Sequence, residues 1–452
     1  MNITKAKKIH FVGISGIGIS GLARICLDMG KEVSGSDLTE SIVTKGLKKA
    51  GAKIKIGAHK GRNLAKDTDL LVFSEAIPVD NIERNKAEKN NIEELSYPQA
   101  LGQFTADKKL ICVSGTHGKT TTTAMMARVL KKAGFDPTFI VGSYLPELEG
   151  NARLGQSNFV VIEADEYARA MLNYYPDYIV LNNLEKDHLD TYKNMEDIIR
   201  TFKKYIENLT LSGTLVINTD DKNVKKVAHN FKGNIISFGL KKGDYQAKNI
   251  KTSTKTTSFK IENTKISLKL PGTYNVFNAL AAFSLASELG IDKKIIKKSL
   301  ESFKGTWRRF EIIGQFAGGP VVSDYAHHPT EVENLIKAAR QKYPQKRLVF
   351  VFQPHQHNRT KNLFNDFVRV LKKVDVLIVP EIFEVKGREK KKDQGVSSQD
   401  IVREVMAKKD QVYYAKNLKY TEKLIKKIIK KGDVIFIVGA GDIYKVGERL
   451  VD

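Results

Sequence analysis

The sequence has few of the residues that build disulfide-rich or membrane proteins. Among its 452 residues there are two cysteines, Cys26 and Cys112, each within an apolar segment. Two isolated thiols cannot make a disulfide framework, so they fit a reducing compartment better than a secreted scaffold. No stretch approaches the roughly 18 to 20 consecutive apolar residues that a membrane-spanning helix needs. We therefore expect a cytoplasmic protein with no membrane insertion.

The chain also lacks an arginine-rich stripe with interleaved aromatic residues. Its net charge is nevertheless +24, from 75 Lys+Arg against 51 Asp+Glu. A charge of this size predicts an anionic partner. Because the lysines are spread along the whole chain, for example over residues 423–431, we expect a phosphate-rich small substrate and no nucleic acid.

Length and pattern indicate several α/β domains. At about 100–200 residues per domain, the chain is long enough for about three. Three blocks each begin with an apolar strand candidate that leads into a turn and a helix, and alternating strands and helices predict parallel sheets. Residues 244–270 alternate polar and β-branched side chains, which predicts antiparallel strands attached to the middle block. The predicted domains are residues 1–107, 108–307 and 308–452.

The strongest functional pattern is GTHGKTT at residues 115–121, between a strand candidate at 110–113 and a helix candidate at 122–132. Glycines allow backbone N–H groups to approach phosphates, and the lysine can meet the terminal phosphates. The general P-loop has a glycine where this chain has Val113, so this is a shorter form. The loop predicts ATP binding, with a Thr120 hydroxyl for Mg²⁺. The predicted residues are Gly115, Thr116, His117, Gly118, Lys119, Thr120 and Thr121.

A second glycine pattern lies near the N-terminus. Gly16, Gly18 and Gly21 form GxGxxG directly after a strand candidate, and Asp37 closes the next strand. In this context the pattern is typical of a nucleotide diphosphate site. A dinucleotide, as in a dehydrogenase, and simple tight packing of a helix on a sheet are the alternatives.

Acidic and histidine-containing segments follow later strand candidates. Glu163 opens EADE after the strand candidate FVVI, where a carboxylate beside the phosphate loop can hold Mg²⁺, and His188 follows the next strand candidate, so the two are expected to converge on one sheet edge. The segments 324–330 (DYAHHPT) and 353–359 (QPHQHNR) form further polar clusters. Their histidines have neither helical nor finger spacing, so we do not expect zinc. Residues 385–394 are expected to form a charged loop.

Many ordered motifs give the chain a specific resemblance to one family. They include HFVGISGIGISGLA, GTHGKTTTT, NARLG, EADEY, NNLEKDHLDTY, YNVFN, WRRFE, DYAHHPTE and VGAGDI. With these motifs, the chain resembles the Mur ligases of bacterial cell-wall synthesis along all three blocks. The resemblance implies an N-terminal Rossmann-like UDP-binding domain, a central P-loop ATPase domain with a parallel and a small antiparallel sheet, and a C-terminal Rossmann-like domain.

The resemblance also implies residue roles. Lys119, Glu163, His188, His327 and Arg359 would be catalytic, and Thr120, Glu163 and His188 would bind the metal. Besides the phosphate loop, Asn275, Asn278, Arg309 and Asp324 would bind the nucleotide. The substrate-binding residues would be Gly16, Gly18, Asp37, Ser74, Asn151, Arg153 and His328.

The implied reaction activates a carboxylate with ATP as an acyl phosphate and then forms an amide. Within the family, the motifs favour the branch that joins L-alanine to UDP-N-acetylmuramate, in a monomer or homodimer whose C-terminal domain closes over the site. A branch that attaches a tripeptide to the same sugar is the alternative, since Gln356 stands where the family often has arginine. A P-loop ATPase acting on nucleic acid is an alternative from another class.

Overall fold

The computed structural model describes residues 2–145, 150–385, 395–408 and 410–451, which form three sheets flanked by helices. The predicted α/β class, with parallel sheets and a small antiparallel extension, is confirmed. Each sheet lies within one of the three predicted domain ranges, whose boundaries stay a prediction. Most of the predicted charged loop, residues 386–394, lies outside the described residues. No helix in the described part of the chain is both long and apolar enough to cross a membrane.

The N-terminal sheet is fully parallel, with strand order β3-β2-β1-β4-β5. Its order reverses between β1 and β4, which is where open α/β sheets bind ligands beyond the carboxyl ends of their strands. The strands are Lys8–Val12 (β1), Glu32–Asp37 (β2), Lys53–Ile56 (β3), Leu70–Phe73 (β4) and Glu93–Ser96 (β5). The helices are Ile17–Asp28 (α1), Ile42–Lys49 (α2), Ile82–Lys89 (α3) and Tyr97–Thr105 (α4).

A buried carboxylate joins the elements of this domain. Glu83 on α3 is fully buried and accepts hydrogen bonds from His10 Nε2 (2.9 Å), Ser36 Oγ (2.7 Å) and Asn63 Nδ2 (2.7 Å). Burial alone would raise the pKa of Glu83, but these donors outweigh it and lower the pKa to about 2. The ionised carboxylate therefore holds β1, β2 and the turn after β3 together.

The central sheet has ten strands in the order β15-β14-β13-β12-β11-β10-β6-β9-β7-β8. Strand β6 lies between β10 and β9, so the segments that follow these three strands meet at one edge. The strands are Lys109–Ser114 (β6), Thr138–Leu145 (β7), Gly150–Arg153 (β8), Phe159–Glu163 (β9), Tyr178–Leu181 (β10), Thr214–Asn218 (β11), Asn234–Gly239 (β12), Tyr245–Thr252 (β13), Thr257–Ile261 (β14) and Thr264–Leu268 (β15). The helices are Lys119–Lys132 (α5), Met195–Ile206 (α6), Lys222–Ala228 (α7), Thr273–Glu288 (α8) and Lys293–Glu301 (α9).

The C-terminal sheet has the order β16-β17-β21-β18-β19-β20, and all its pairs except β16 with β17 are parallel. Strands β18, β19 and β21 are continuous apolar runs, as expected for strands covered by helices on both faces. The strands are Glu311–Phe316 (β16), Gly319–Asp324 (β17), Leu348–Phe352 (β18), Val376–Pro380 (β19), Val412–Ala415 (β20) and Val434–Val438 (β21). The helices are Pro329–Lys342 (α10), His357–Asn362 (α11), Phe364–Leu371 (α12), Ser398–Met406 (α13), Leu418–Ile428 (α14) and Tyr444–Val451 (α15).

The N-terminal domain packs directly on the central sheet through α1. Leu22 on α1 shares one buried cluster with Ile140 of β7 and Ala152 of β8. Gly21 is required at this contact, because an added Cβ would lie 2.7 Å from Ile140 Cγ2. The helix that begins at the N-terminal glycine pattern is therefore fixed against the central domain.

Candidate active site

The phosphate loop lies between β6 and α5 in a conformation that only glycine adopts easily. Gly115 has φ +122° and Gly118 has φ +81°. An added Cβ at Gly115 would lie 2.8 Å from Asn183 O, and one at Gly118 would collide with Asn278 Oδ1. Helix α5 begins at Lys119, three residues earlier than predicted, and no side chain caps it. Its first N–H groups therefore stay available for an anion.

Lys119 is held at the mouth of this loop. Its Nζ donates to Gly115 O (2.6 Å) and pairs with Glu166 Oε2 (2.7 Å). Burial alone would lower the pKa of Lys119, but attraction to Glu166 and Asp165 outweighs it and raises the pKa. The lysine is therefore a fixed cation where a terminal phosphate would lie.

The predicted metal ligands are only partly brought together. Glu163 Oε2 accepts a hydrogen bond from Thr120 Oγ1 (3.2 Å) and its other oxygen accepts from Gly142 N, as expected for a carboxylate beside the loop. His188 instead forms a group with Asp165 and Glu166, whose potential ligand atoms lie within 4.8 Å of one another. The hydroxyl and carboxylate oxygens of Thr120 and Glu163 are the donor types that Mg²⁺ prefers, so these residues fit it.

Two asparagines that the sequence reasoning missed shape the loop. Asn183 Oδ1 accepts from His117 N (2.8 Å), its Nδ2 donates to His117 O (3.0 Å), and its carbonyl accepts from Thr116 N (2.9 Å). Asn182 Nδ2 donates to Thr122 Oγ1 (3.2 Å). Both follow β10, the neighbour of β6. A polar pair directly after an apolar strand was the signal available in the sequence.

A cavity of about 450 Å³ lies between the loop and the C-terminal domain. Its volume is in the range of small-ligand and cofactor sites. Apolar side chains from α8 and the C-terminal domain, including Phe277 and Leu335, line it beside the loop. The predicted nucleotide-binding residues that line it are His117, Gly118, Thr120, Thr121, Asn275, Asn278, Arg309 and Asp324.

Several of these residues are fixed by hydrogen bonds. Asn278 Nδ2 donates to Asn275 Oδ1 (3.2 Å), and Asn275 Nδ2 donates to Pro271 O (2.7 Å). Asp324 accepts from Phe310 N (2.7 Å). Burial raises the pKa of Asp324 to about 6. The structure therefore presents preformed amide and carboxyl groups at the wall of the cavity.

A second, small pocket lies where the C-terminal domain meets the segment after β10. It is lined by Asp187, His188, Gln356 and Arg359, among others. Arg359 Nε donates to Asp187 Oδ1 (3.0 Å), and its Nη1 donates to Gln356 Oε1 (3.3 Å). The pKa of Asp187 is well below its usual value because Arg359 outweighs the opposing effect of burial. The free volume of this pocket is about 20 Å³, room for about one water molecule, and Arg359 is the cation at its wall.

The two predicted histidines of DYAHHPT lie at the same domain seam. His328 is buried and its Nε2 donates to Lys186 O (3.1 Å) across the seam. Burial lowers the pKa of His327 to about 4, so that ring is neutral at pH 7. His328 therefore connects the C-terminal domain with the central domain, whereas His327 Nδ1 donates to Tyr325 O (3.1 Å) within the C-terminal domain.

Most of the predicted sugar-side residues gather near the end of β1. Gly16 precedes α1, which no side chain caps, and Asp37 Oδ2 accepts from Ser15 N (2.9 Å). An added Cβ at Gly18 would lie 2.8 Å from Tyr97 Oη, and Ser74 is close to Gly13. Uncapped helix N-terminal N–H groups favour an anion here.

The two residues of NARLG lie in different surroundings. Asn151 donates from β8 to Ile17 O and to Ser20 Oγ (3.3 Å), so it joins the central domain to the start of α1. Arg153 pairs with Asp136 (Nη1 to Oδ1, 2.5 Å) within the central domain. The structure thus brings Asn151, but not Arg153, to the glycine pattern.

Comparison with known proteins agrees with this architecture. The Mur ligase family catalytic domain matches residues 8–109, the Mur ligase middle domain residues 113–286, and the Mur ligase glutamate ligase domain residues 308–441. The chain is 41% identical to a UDP-N-acetylmuramate–L-alanine ligase of Clostridium novyi, over 99% of this chain and 97% of that protein. A ligase of the same name from Aquifex aeolicus is 40% identical over 99% and 98%.

Solved structures show the same relationship. The crystal structure of the UDP-N-acetylmuramate–alanine ligase MurC from Thermotoga maritima has a TM-score of 0.85 and 31% identity, with 98% of each chain covered. A murein peptide ligase from Psychrobacter arcticus shares the fold, with a TM-score of 0.75 and 23% identity over 98% of each chain. The resemblance inferred from the motifs is confirmed, and the chain belongs to the Mur ligase family.

Proposed function

We propose that this chain is an ATP-dependent amide ligase that joins L-alanine to UDP-N-acetylmuramate and releases ADP and phosphate. The observation that carries the proposal is the arrangement around Lys119. A phosphate loop, the carboxylate of Glu163 and a nucleotide-sized cavity meet where the central domain adjoins the C-terminal domain. Relatives of about 40% identity over nearly the whole chain carry the name of this activity.

The chemistry that such a site performs has two steps. A carboxylate is a poor electrophile, so its oxygen first attacks the γ-phosphorus of ATP, ADP leaves, and an acyl phosphate forms. The amino group of alanine then attacks the acyl carbon, and phosphate leaves with the oxygen that came from the carboxylate. The attacking amine must have lost one proton, and a second proton leaves the nitrogen as the amide forms.

The first step brings two anions together, which requires positive charge at the phosphate. Lys119 supplies a fixed cation, and the free N–H groups at the start of α5 supply partial positive charge. Thr120 and Glu163 are the residues that would hold Mg²⁺, and His188 lies with two further carboxylates nearby. When bound, Mg²⁺ would neutralise phosphate charge and act as a Lewis acid.

The two other substrates have separate places. The UDP part would lie on the uncapped start of α1, and Asn151 at that helix would lie along the path of the sugar toward Glu163. Alanine would lie at the domain seam beside Arg359 and Gln356, once the seam widens beyond the present pocket of about 20 Å³, and the guanidinium could then bind its carboxylate. Neutral His327 adds no positive charge that would repel the incoming ammonium group.

Attachment of a tripeptide is the second candidate. Gln356, not an arginine, contacts Arg359 in the pocket proposed for the amine, so one cation fewer faces the incoming carboxylate. A bulkier amine whose carboxylate lies farther away would depend less on that charge. The observations at the phosphate loop are the same for both reactions.

One assay separates these reactions. ADP release is measured with ATP, UDP-N-acetylmuramate and one amine at a time: alanine, serine, glycine or the murein tripeptide. We expect release that requires the UDP-sugar and is fastest with alanine. ADP release only with the tripeptide would favour the second candidate. ADP release that depends on neither the sugar nor any amine would contradict a ligase.

A further inference from the structure

A histidine of the phosphate loop lies between two carboxylates from different domains. His117 Nδ1 donates to Glu331 Oε1 of α10 (3.2 Å), and its Nε2 lies 3.5 Å from Glu185 Oε2 of the central domain. The side chains of His117 and Glu331 are only 15% and 13% exposed. The contact therefore joins the C-terminal domain to the loop itself in a largely water-excluded place.

Glu331 is rigidly placed for this contact. Its Oε2 accepts from the backbone N–H groups of His327 (3.0 Å) and His328 (3.3 Å) and so caps α10, while Oε1 faces His117. Arg309 Nη1 lies 3.8 Å from the same oxygen. Because one oxygen is anchored to its own helix, the other holds His117 in one position relative to the C-terminal domain.

The same helix start contacts the segment after β10 at two more points. Thr330 Oγ1 donates to Glu185 Oε2 (2.5 Å), and His328 Nε2 donates to Lys186 O (3.1 Å). Glu185 therefore connects Thr330 of the C-terminal domain with His117 of the loop. Docking of the C-terminal domain and the placement of His117 are parts of one hydrogen-bonded arrangement.

The two carboxylates also set the charge of the loop. Burial alone would lower the pKa of His117, but Glu185 and Glu331 outweigh it and raise the pKa to about 9. His117 is then an imidazolium at neutral pH, beside Gly118 and Thr120 at the wall of the cavity. Together with Lys119, it gives the loop a second cation.

We infer that Glu331 is a positioning residue for the nucleotide, because its hydrogen bond fixes the His117 side chain on the phosphate loop only while the C-terminal domain is docked. The inference rests on the proposed nucleotide site. By linkage, a nucleotide that binds better to the docked form must stabilise docking by the same factor. In a rival hypothesis, the Glu331 carboxylate occupies the place of a phosphate and competes with it. That hypothesis predicts that replacement of Glu331 makes nucleotide binding tighter.

A double-mutant cycle tests this role. The dissociation constant of a non-hydrolysable ATP analogue is measured by calorimetry for Glu331→Gln, His117→Asn and the double variant. Glutamine keeps an oxygen for the cap of α10 but loses the charge. We expect Glu331→Gln to bind the analogue about tenfold more weakly, which is the effect of losing one charge-assisted hydrogen bond. The double variant should bind the analogue no more weakly than the single variant with the lower affinity.

The control is Glu333→Gln on the same helix, since Glu333 pairs with Lys373 at the surface (2.5 Å) and should leave nucleotide affinity unchanged. Affinity for UDP should be unchanged in every variant, which excludes general unfolding. Unchanged or tighter binding by Glu331→Gln, or fully additive effects, would overturn the inference. If Glu331→Gln does not fold, His117→Gln tests the same contact from the loop side.

The measurement is independent of the amine. Calorimetry with the analogue needs no turnover and no alanine. If the wild-type chain binds the nucleotide but does not join alanine to the sugar, the proposed function fails while the role of Glu331 is still decided by the cycle.

Discussion

Replacement of Asn183 by alanine should release the phosphate loop. The side chain makes two hydrogen bonds to the backbone of His117, at 2.8 Å and 3.0 Å. At roughly 0.5–1.5 kcal/mol for each net hydrogen bond, their loss costs about 1–3 kcal/mol. If the substitution destabilises only the loop conformation that binds the nucleotide, nucleotide affinity should fall about 5- to 150-fold, since ~1.4 kcal/mol corresponds to a tenfold change in the dissociation constant.

The assay is the KM for ATP in the full reaction together with calorimetry of a non-hydrolysable analogue. Asn208→Ala is the matched control, because Asn208 Nδ2 also ties two segments together, at Leu172 O (3.1 Å) and Tyr174 O (3.0 Å). We expect Asn208→Ala to cost stability without changing nucleotide affinity. Nucleotide affinity within twofold of wild type for Asn183→Ala, or an equal loss in both variants, would refute the reasoning.

Three further substitutions have distinct expected outcomes. Glu83→Gln should lose about 3 kcal/mol of unfolding free energy at pH 7, from a folded pKa of about 2. Because the folded pKa is depressed, the wild-type advantage in urea unfolding should be complete above pH 4.5 and shrink as the pH falls toward 2. Lys119→Ala should abolish turnover but leave UDP-sugar binding unchanged, and loss of both would contradict our placement of the two sites. Gly142→Ala would put a Cβ 2.5 Å from Glu163 Oε2, so kcat should fall at least tenfold with UDP affinity unchanged.

Local patterns predicted the phosphate loop and the strand-turn-helix at the N-terminal glycines well, because both units are short in sequence, although Gly18 and Gly21 are needed for contacts with the distant Tyr97 and Ile140. A strand, a glycine turn and an uncapped helix are encoded within about a dozen residues, and the structure has them at Gly115 and Gly118 and again at Gly16. The antiparallel strands of residues 245–268 were likewise visible as alternation.

The residues that support the loop could not be predicted in the same way. Asn183 and Glu331 reach His117 from 66 and 214 positions away in the chain. The sequence did not contain the order of strands that places β10 beside β6, nor the docking of α10 on the loop. Contacts across a sheet and across a domain seam depend on this long-range order.

Backbone conformation decided the position of His188. The residue has φ +50°, in the left-handed region, and its ring lies with Asp165 and Glu166. The spacing between Glu163 and His188 indicated the correct sheet edge but contained no information on that turn. Arg153 lies away from the N-terminal glycine pattern for another reason. Antiparallel pairing of β8 with β7 puts it opposite Phe139, close to Asp136.

Transfer of oxygen from the sugar carboxylate to phosphate tests the central claim most directly. UDP-N-acetylmuramate labelled with ¹⁸O in its carboxylate is incubated with ATP, alanine and the chain, and the released phosphate is analysed by mass spectrometry. An acyl phosphate predicts one ¹⁸O atom in each phosphate released, in step with alanine amide formation. Unlabelled phosphate accompanying the amide product would contradict activation of the carboxylate by ATP.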